Sequence, residues 1–400
     1  VGPLEHQWSI AVSYRYAVIA AGRQGTALAY DLARTCDAQQ VVLADVDGDV
    51  ARRAVTRLGE LLPDSVCRFE ARTCDIRRPA ELNQAVAGAD VVLSAAPYRY
   101  NIQITDAALA AGASFCDLGG NTDVVRQQMA RHEEAQRRGV SVVPDCGLAP
   151  GLCNLLAAHG VAAMDEPEHV HLRCGGLPQE PVGPLGYQMT FNFDGLINEY
   201  SGHAEFLRGG RPAAVPALSE LEAIDFPPPL GHCEAAVTSG ATSTAPETFA
   251  GRLQSYDYKT VRYPGHFAII RALFALGCFE PEVTLEDGRT LAPRPILRQL
   301  FEDRLRLPHV RDCIVLRCTV IGRHESRPQT IQYDLYDRHD ERTGFTAMER
   351  ATAFPTALVA YMQARKLIAP GAHPLEVCVP VDRYLTELGD HDIRVTVSRS

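Results

Sequence analysis

The 400-residue sequence lacks several things, and each shortage closes a class of function. No apolar run approaches the roughly 18 residues that span a bilayer, so no membrane partner is expected. Basic residues are outnumbered, 39 Lys and Arg against 49 Asp and Glu, giving a net charge of -10. That deficit argues against nucleic acid and anionic membranes, which need positive patches. The twelve cysteines contain no Cys-x-x-Cys pair and no zinc-like clustering. No metal is therefore expected, and the thiols read as reduced and buried. The N-terminus lacks a charged-then-apolar signal pattern, so a cytoplasmic location is the expectation. Repeats and low-complexity tracts are missing as well.

What is present is enough apolar material, 46% of residues, for two domain cores. Residues 1–13 have no periodicity and do not begin with Met, and they are left out of fold reasoning. Short apolar runs at 16–20, 41–45, 67–71, 90–96, 114–118 and 141–144 read as strands. Helical patterns fall between them at 25–36, 48–62, 79–86, 102–111 and 123–138. That alternation predicts an α/β, doubly wound parallel Rossmann sheet over residues 14–150. After Gly151 the pattern changes. Helices at 152–164, 265–276 and 295–305 mix with strands at 169–174, 187–193, 256–262, 313–323 and 330–336. This predicts an α+β domain on a mostly antiparallel sheet over 151–345. Over residues 346–400 the chain turns helical again from Thr346 through Met362, and a Pro-rich tail follows, ending in 381–388.

The stretch Ala20-Ala-Gly-Arg-Gln-Gly25 follows the first strand and opens the first helix. Gly22 lets the backbone approach a pyrophosphate, Gly25 lets helix and strand pack closely, and Arg23 and Gln24 complete the turn. Ala20 stands where a first glycine is usual and is acceptable at negative φ. Asp45 lies 20 residues beyond Gly25 (45 − 25), at a strand end, where its carboxylate accepts ribose hydroxyls and repels a 2′-phosphate. The predicted cofactor is therefore NAD. Arg52 and Arg53 lie on the following helix and read as solvated. Asp75 either contacts the adenine or caps the chain before Arg77-Arg78-Pro79. Ala95 and Ala96 leave room beside the nicotinamide ribose, with Tyr98 and Asn101 following on the crevice side. Asp117-Leu-Gly119-Gly120 and Asp145-Cys-Gly-Leu-Ala-Pro-Gly151 end the next strands. Each aspartate either caps a loop or projects toward the chemistry.

In the second domain, Tyr258-Lys-Thr-Val-Arg-Tyr-Pro-Gly-His266 stands out. Strand alternation puts Tyr258, Thr260 and Arg262 on one face and Lys259, Val261 and Tyr263 on the other. Arg262 suits a substrate carboxylate or, alternatively, a surface salt bridge. Thr238-Ser-Gly-Ala-Thr-Ser-Thr244 either lines a polar pocket or is only a loop.

Together these stretches resemble the saccharopine dehydrogenase superfamily and, within it, the lysine 6-dehydrogenases. The loops that carry the resemblance are Asp117-Leu-Gly-Gly120, Gly147-Leu-Ala-Pro-Gly151, Cys174-Gly-Gly-Leu-Pro178, Gly183-Pro-Leu-Gly-Tyr187, Thr238–Thr244 and Lys259–His266. The resemblance implies a Rossmann domain, an inserted substrate and dimerisation domain, a C-terminal helix returning to the first domain, and a homodimer or higher homo-oligomer. Saccharopine reductases usually carry Arg where Asp194 stands and Asp where Ala149 stands, and they commonly use NADP. An acid at 194 suits an ammonium group instead. Ala20 and Ala241 depart from the lysine enzymes, which leaves related amines open.

The resemblance implies NAD-dependent oxidative deamination of L-lysine at the ε-carbon, giving allysine, ammonia and NADH. Asp145 or His266 would accept the amine proton, and Asp117 and Tyr98 would orient the amine or water. Arg262 would hold the α-carboxylate with Thr242 assisting, and Lys259 and Asp194 join the substrate set. The alternatives are a dehydrogenase acting on a secondary amine, of the saccharopine or carboxyspermidine type, and a non-catalytic NAD-binding protein.

Overall fold

The structure, a computed structural model, describes residues 13–190, 193–307 and 309–400. Residues 1–12 lie outside it. The first domain runs β1 (Tyr14–Ile19), α1 (Arg23–Thr35), β2 (Ala38–Asp45), α2 (Gly48–Leu61), β3 (Arg68–Thr73), α3 (Pro79–Val86) and β4 (Val91–Ser94). It continues through α4 (Asn101–Ala111), β5 (Ser114–Asp117), α5 (Thr122–Met129), α6 (His132–Arg138) and β6 (Ser141–Val143). The six predicted strands are all present. The predicted helix at 123–138 is two helices, because the chain turns at Ala130 and Arg131.

The second domain begins with α7 (Leu152–Ala162), β7 (Glu166–Pro178), α8 (Phe193–Glu199), β8 (His203–Arg208), β9 (Arg211–Pro216), β10 (Glu222–Asp225) and β11 (His232–Val237). There follow α9 (Ala245–Thr248), β12 (Ser255–Arg262), α10 (His266–Ala275), β13 (Val283–Thr284), β14 (Thr290–Leu291) and α11 (Pro293–Leu305). The long hairpin β15 (Asp312–His324) and β16 (Arg327–Arg338) completes it. The returning segment is α12 (Ala347–Ala364), β17 (Gly371–Ala372), α13 (Leu375–Cys378), α14 (Val381–Glu387) and β18 (Val395–Arg399).

The predicted strand at 187–193 does not form. Residues 187–190 are irregular, 191 and 192 lie outside the described residues, and Phe193 opens α8. Tyr187, Met189 and Phe193 alternate for a different reason. They pack into an apolar cluster with α10 and α11. Strands β9 and β10 were not legible because they are largely exposed edges, and β8 and β11 because they are short and bury mainly Ala and Cys beside a few larger apolar side chains.

The first sheet has the order β17-β6-β5-β4-β1-β2-β3, and every pair is parallel. The strand order reverses between β2 and β4, on either side of β1. A ligand crevice therefore opens at the carboxyl ends of β1 and β4. The second sheet runs β10-β11-β12-β7-β15-β16-β18, with β8 on β12 and β9 on β8. It is antiparallel except for β12 beside β7.

Helix α12 joins the two sheets. Thr346 and Glu349 form a capping box at its start. Gln363 near its end donates to the carbonyls of Phe115 and Ser141, on β5 and β6. One apolar cluster runs from β1 and α1 through α12 to β15 and β16, so the core is continuous across both domains. All twelve cysteines are unpaired, and ten are buried. No helix among the described residues is long and apolar enough to cross a membrane.

Candidate functional site

The crevice starts at the glycine turn. Ala20 does not take the expected negative φ. It sits in the left-handed region at 75°, where L-residues are strained. That backbone turn brings the Ala20 carbonyl to 1.9 Å from where a Cβ on Gly25 would lie. Position 25 therefore admits only glycine. At Gly22 a Cβ would meet nothing within 4 Å, so the space above the turn is open. Gly22 caps α1 without a side-chain bond, which leaves first-turn N–H groups free for an anion. Asp45 closes the back of the turn. Its Oδ2 accepts the Ala21 N–H at 2.9 Å and its Oδ1 the Asp47 N–H at 3.0 Å. Each oxygen keeps a second acceptor site for a ribose hydroxyl. The turn, the free amides and the fixed acid together fit a dinucleotide.

Three predicted cofactor side chains are otherwise engaged. Arg23 Nε pairs with Glu349 at 2.5 Å, and Gln24 Nε2 donates to the Met348 carbonyl at 3.3 Å. Both side chains hold the start of α12, and only their backbone faces the turn. Asp75 does not cap α3, whose N-cap is Arg78 without a side-chain bond, but accepts the Arg77 N–H at 3.0 Å in the turn before it. Arg77 grips both its oxygens, at 2.9 and 2.8 Å, and holds its carboxyl down to about 2. Ala95 and Ala96, half-buried at the end of β4, leave the crevice open. Tyr98 lies against Gly120, its ring 3.4 Å from a Cβ built there.

Asp117 and Asp145 end adjacent strands and form one buried unit. Asp117 accepts the N–H groups of Gly119 and Asp145, at 2.8 and 3.0 Å, and the Gln128 amide at 2.7 Å. Asp145 has φ 60°, is 4% exposed, and leaves its Oδ1 without a partner. A Cβ on Gly119 would lie 2.5 Å from that oxygen, so glycine there lets the loop close over it. Desolvation, then the neighbouring Asp117 charge, pushes Asp145 well above the usual carboxylate range. Ser243, Thr244 and Glu376 line the same narrow cleft. Glu376 accepts hydroxyls from Thr244 at 2.9 Å and Thr248 at 2.6 Å.

The second domain contributes a recess around Arg262. This guanidinium is 2% exposed. Its Nε donates to the Tyr200 hydroxyl at 3.1 Å and its Nη1 to the Val261 carbonyl at 2.9 Å. It also stacks 4.8 Å over the Tyr187 ring. Its Nη2 lies 3.9 Å from the Glu199 carboxylate, whose side chain is 32% exposed. Solvent reaches that carboxylate, yet protein encloses it, and desolvation lifts it to about 7 against the pull of Arg262. Among the described residues, the buried hydroxyls of Tyr187 and of Thr190 have no hydrogen-bond partner. Met348 ties the two halves together. A Cβ on Gly176 would lie 2.5 Å from Met348 Cε and 3.5 Å from Thr190 Oγ1, while the Met348 carbonyl takes Gln24. Met348 therefore touches both the glycine turn and β7, the strand on which β12 with Arg262 pairs.

Four predicted site residues lie elsewhere or act indirectly. His266 is buried behind Tyr200, with Nδ1 on the Leu185 carbonyl at 3.0 Å and Nε2 on the Tyr200 hydroxyl at 2.9 Å. Burial, then Arg262, pushes it down to about 3. It therefore stands neutral with both nitrogens used, which does not fit a proton acceptor for substrate. Lys259 points to the opposite face, as alternation requires, and binds Glu222 at 2.6 Å. Asp194 is held by Arg298 at 2.6 and 2.7 Å and by Arg294 at 3.3 Å, so it offers no free acid to an ammonium. Thr242 donates to the Glu205 carbonyl at 2.7 Å and holds its own loop. Sequence reasoning missed Glu199, Tyr200 and Thr190. An acid closing the short helix Phe193–Glu199, just after Leu196 and Ile197, was the one signal available.

Residues 17–143 match the family described as saccharopine dehydrogenase NADP binding domain, and 147–393 the saccharopine dehydrogenase C-terminal domain. Saccharopine dehydrogenase [NADP(+), L-glutamate-forming] of Saccharomyces cerevisiae is 24% identical over 176 residues, 42% of this chain and 38% of that protein. The mitochondrial alpha-aminoadipic semialdehyde synthase of Bos taurus is 26% identical over 155 residues, 37% of this chain and 16% of that protein. The matched stretch thus spans under two-fifths of these relatives' length. The solved apo saccharopine dehydrogenase (L-Glu forming) from Saccharomyces cerevisiae has the same fold. Its TM-score is 0.77 at 17% identity, covering 97% of this chain and 100% of that one.

Proposed function

Because the chain belongs to the saccharopine dehydrogenase family, we propose that it is a nicotinamide-dependent oxidoreductase acting on a carbon–nitrogen bond of an amino acid. The observation that carries this reading is the juxtaposition across Met348. An uncapped glycine turn backed by Asp45 lies on one side, and on the other lies β7, which carries β12 and its Arg262. The dinucleotide supplies the hydride acceptor, and the remaining tasks fall to this chain. First-turn amides of α1 hold the pyrophosphate, and Asp45 accepts ribose hydroxyls. Asp45 would also repel a 2′-phosphate. This supports NAD, although the names of the family domain and the yeast relative carry NADP.

The leading substrate is L-lysine, oxidised at the ε-carbon with release of ammonia. Arg262 binds the α-carboxylate. The recess presents one guanidinium and one acid, a poor match for the several carboxylates of saccharopine. The substrate amine, with an ordinary pKa of about 10.4, must lose a proton before hydride leaves its carbon, so an alkaline optimum is expected. Asp145 is the proton acceptor in this reading. Its Oδ1 lacks a partner, and its site favours the protonated form. Asp117 fixes the Asp145 backbone, and Tyr98 orients the amine from beside Gly120.

The names of the yeast and bovine relatives favour a second reading, a secondary amine of the saccharopine type. One assay separates the readings. Purified protein is given NAD or NADP with lysine, ornithine, saccharopine and diamines. NADH and ammonia from lysine support the first reading. Saccharopine turnover without lysine turnover overturns it in favour of the second. Tight NADH binding with no turnover leaves a non-catalytic NAD-binding protein.

A further inference from the structure

We propose that Glu199 and Arg262 together form a clamp for the α-zwitterion of the substrate, Glu199 taking the α-ammonium and Arg262 the α-carboxylate. The inference rests on the reading that the substrate is an amino acid, and it names the residue that recognises the amino half.

The geometry begins with what each group leaves unused. Arg262 spends Nε and Nη1 on Tyr200 and Val261 and keeps Nη2 for a ligand. Tyr200 is pinned behind it by His266, so the guanidinium plane is fixed. Among the described residues the Glu199 carboxylate makes no hydrogen bond, and its one charged neighbour is that Nη2 at 3.9 Å. Its backbone is held, because the Glu199 carbonyl accepts the Ser239 N–H at 2.8 Å. A fixed cation thus lies 3.9 Å from an acid whose side chain is still 32% exposed, close enough to pair and too far to share a hydrogen bond.

The separation suits one chemical group. In an amino acid the ammonium nitrogen and the carboxyl carbon lie about 2.5 Å apart, from standard N–Cα and Cα–C bonds. Charge-assisted hydrogen bonds of about 2.8 Å then link each end to its partner. A four-sided figure of this size closes on a side of 3.9 Å without moving either residue. The Tyr187 ring lies under the same guanidinium, and among the described residues its buried hydroxyl has no partner, which leaves a donor for the carboxylate.

The same distance decides what Glu199 does not do. Lysine carries its reactive amine at the far end of a four-carbon stem. An acid 3.9 Å from the carboxylate-binding arginine therefore serves the α-end and not the reacting nitrogen. The base for the reacting amine must come from the first domain, where Asp145 stands.

The test uses ligands that cannot be oxidised at C6 for want of an amine. Calorimetry on the full chain with NADH compares L-norleucine, which carries the α-zwitterion, with hexanoate, which carries the carboxylate alone. The expected result is norleucine binding at least tenfold tighter than hexanoate. Glu199→Gln should remove that preference, weakening norleucine while hexanoate binds no more weakly than before, and Glu199→Asp should restore part of it. Equal affinities for norleucine and hexanoate in the wild type, no binding of either, or an unchanged preference in folded Glu199→Gln would overturn the clamp. Should Glu199→Gln not fold, the wild-type comparison and Glu199→Asp still decide. Because norleucine binding needs no turnover, failure of lysine oxidation sinks the proposed reaction and not this inference.

Discussion

The Ala21 N–H donates to Asp45 Oδ2 at 2.9 Å, so the acid that ends the second strand is also a strut of the glycine turn. Specificity and turn geometry share one carboxylate.

Replacing Asp45 with Ser should therefore do two things at once. NAD affinity should fall about tenfold with the loss of a charge-assisted contact, and NADP affinity should rise as the repulsion disappears. Fluorescence titration with NADH and NADPH reads both. Unchanged affinities for both would show that this acid does not meet the ribose.

Ala20 carries left-handed strain that glycine would relieve. Ala20→Gly should stabilise the protein by about 1 kcal/mol, the αL penalty less the extra chain entropy of glycine. Urea unfolding measures it. A loss of stability would mean that φ at this position is not positive in solution.

Glu199 should make stability depend on pH. Its carboxyl is raised from 4.5 to about 7 in the folded protein. Folding thus favours the protonated form. That contribution is complete below about 4.5 and is lost as pH rises through about 7. Glu199→Gln should then gain on the wild type across this window by about 1 kcal/mol, after discounting for its partial exposure. Norleucine binding by the wild type should strengthen over the same window, because the ionised acid is the one that holds ammonium. A flat pH dependence in thermal melts and calorimetry would contradict both.

Asp145 is the next point of attack. Asp145→Asn should cut amine oxidation by roughly 100-fold, the low end for losing a general base. It should not cost stability at alkaline pH, because it removes a buried carboxylate whose proton affinity is raised by burial and by Asp117. Stopped-flow NADH formation and melting at pH 9 separate the two effects. Retained turnover would move the proton acceptor elsewhere.

The parallel sheet was legible because its central strands are buried on both faces and punctuated by glycine and proline, as at Gly112 and Pro97. The pocket was less so. Arg262 could be picked out as a cation in an apolar strand, and alternation placed Lys259 on the opposite face. Asp194 and His266 misled because sequence shows a residue's chemistry and not its partners. Arg294 and Arg298, a hundred residues away, neutralise the first, and Tyr200 with Leu185 consumes the second. Glu199 was invisible for the converse reason. Its significance lies in lacking a hydrogen-bonded partner, and no spacing records that.

The start of α12 bears on how this protein can be cut or recombined. Glu349 and Met348 grip Arg23 and Gln24, β17 extends the parallel sheet, and β18 pairs with β16 in the other sheet. The nucleotide half is therefore not a contiguous module. A chimera that exchanges residues 14–150 with a relative and leaves 346–393 behind would join a turn to a helix that did not evolve to brace it. Such an exchange must carry both segments together.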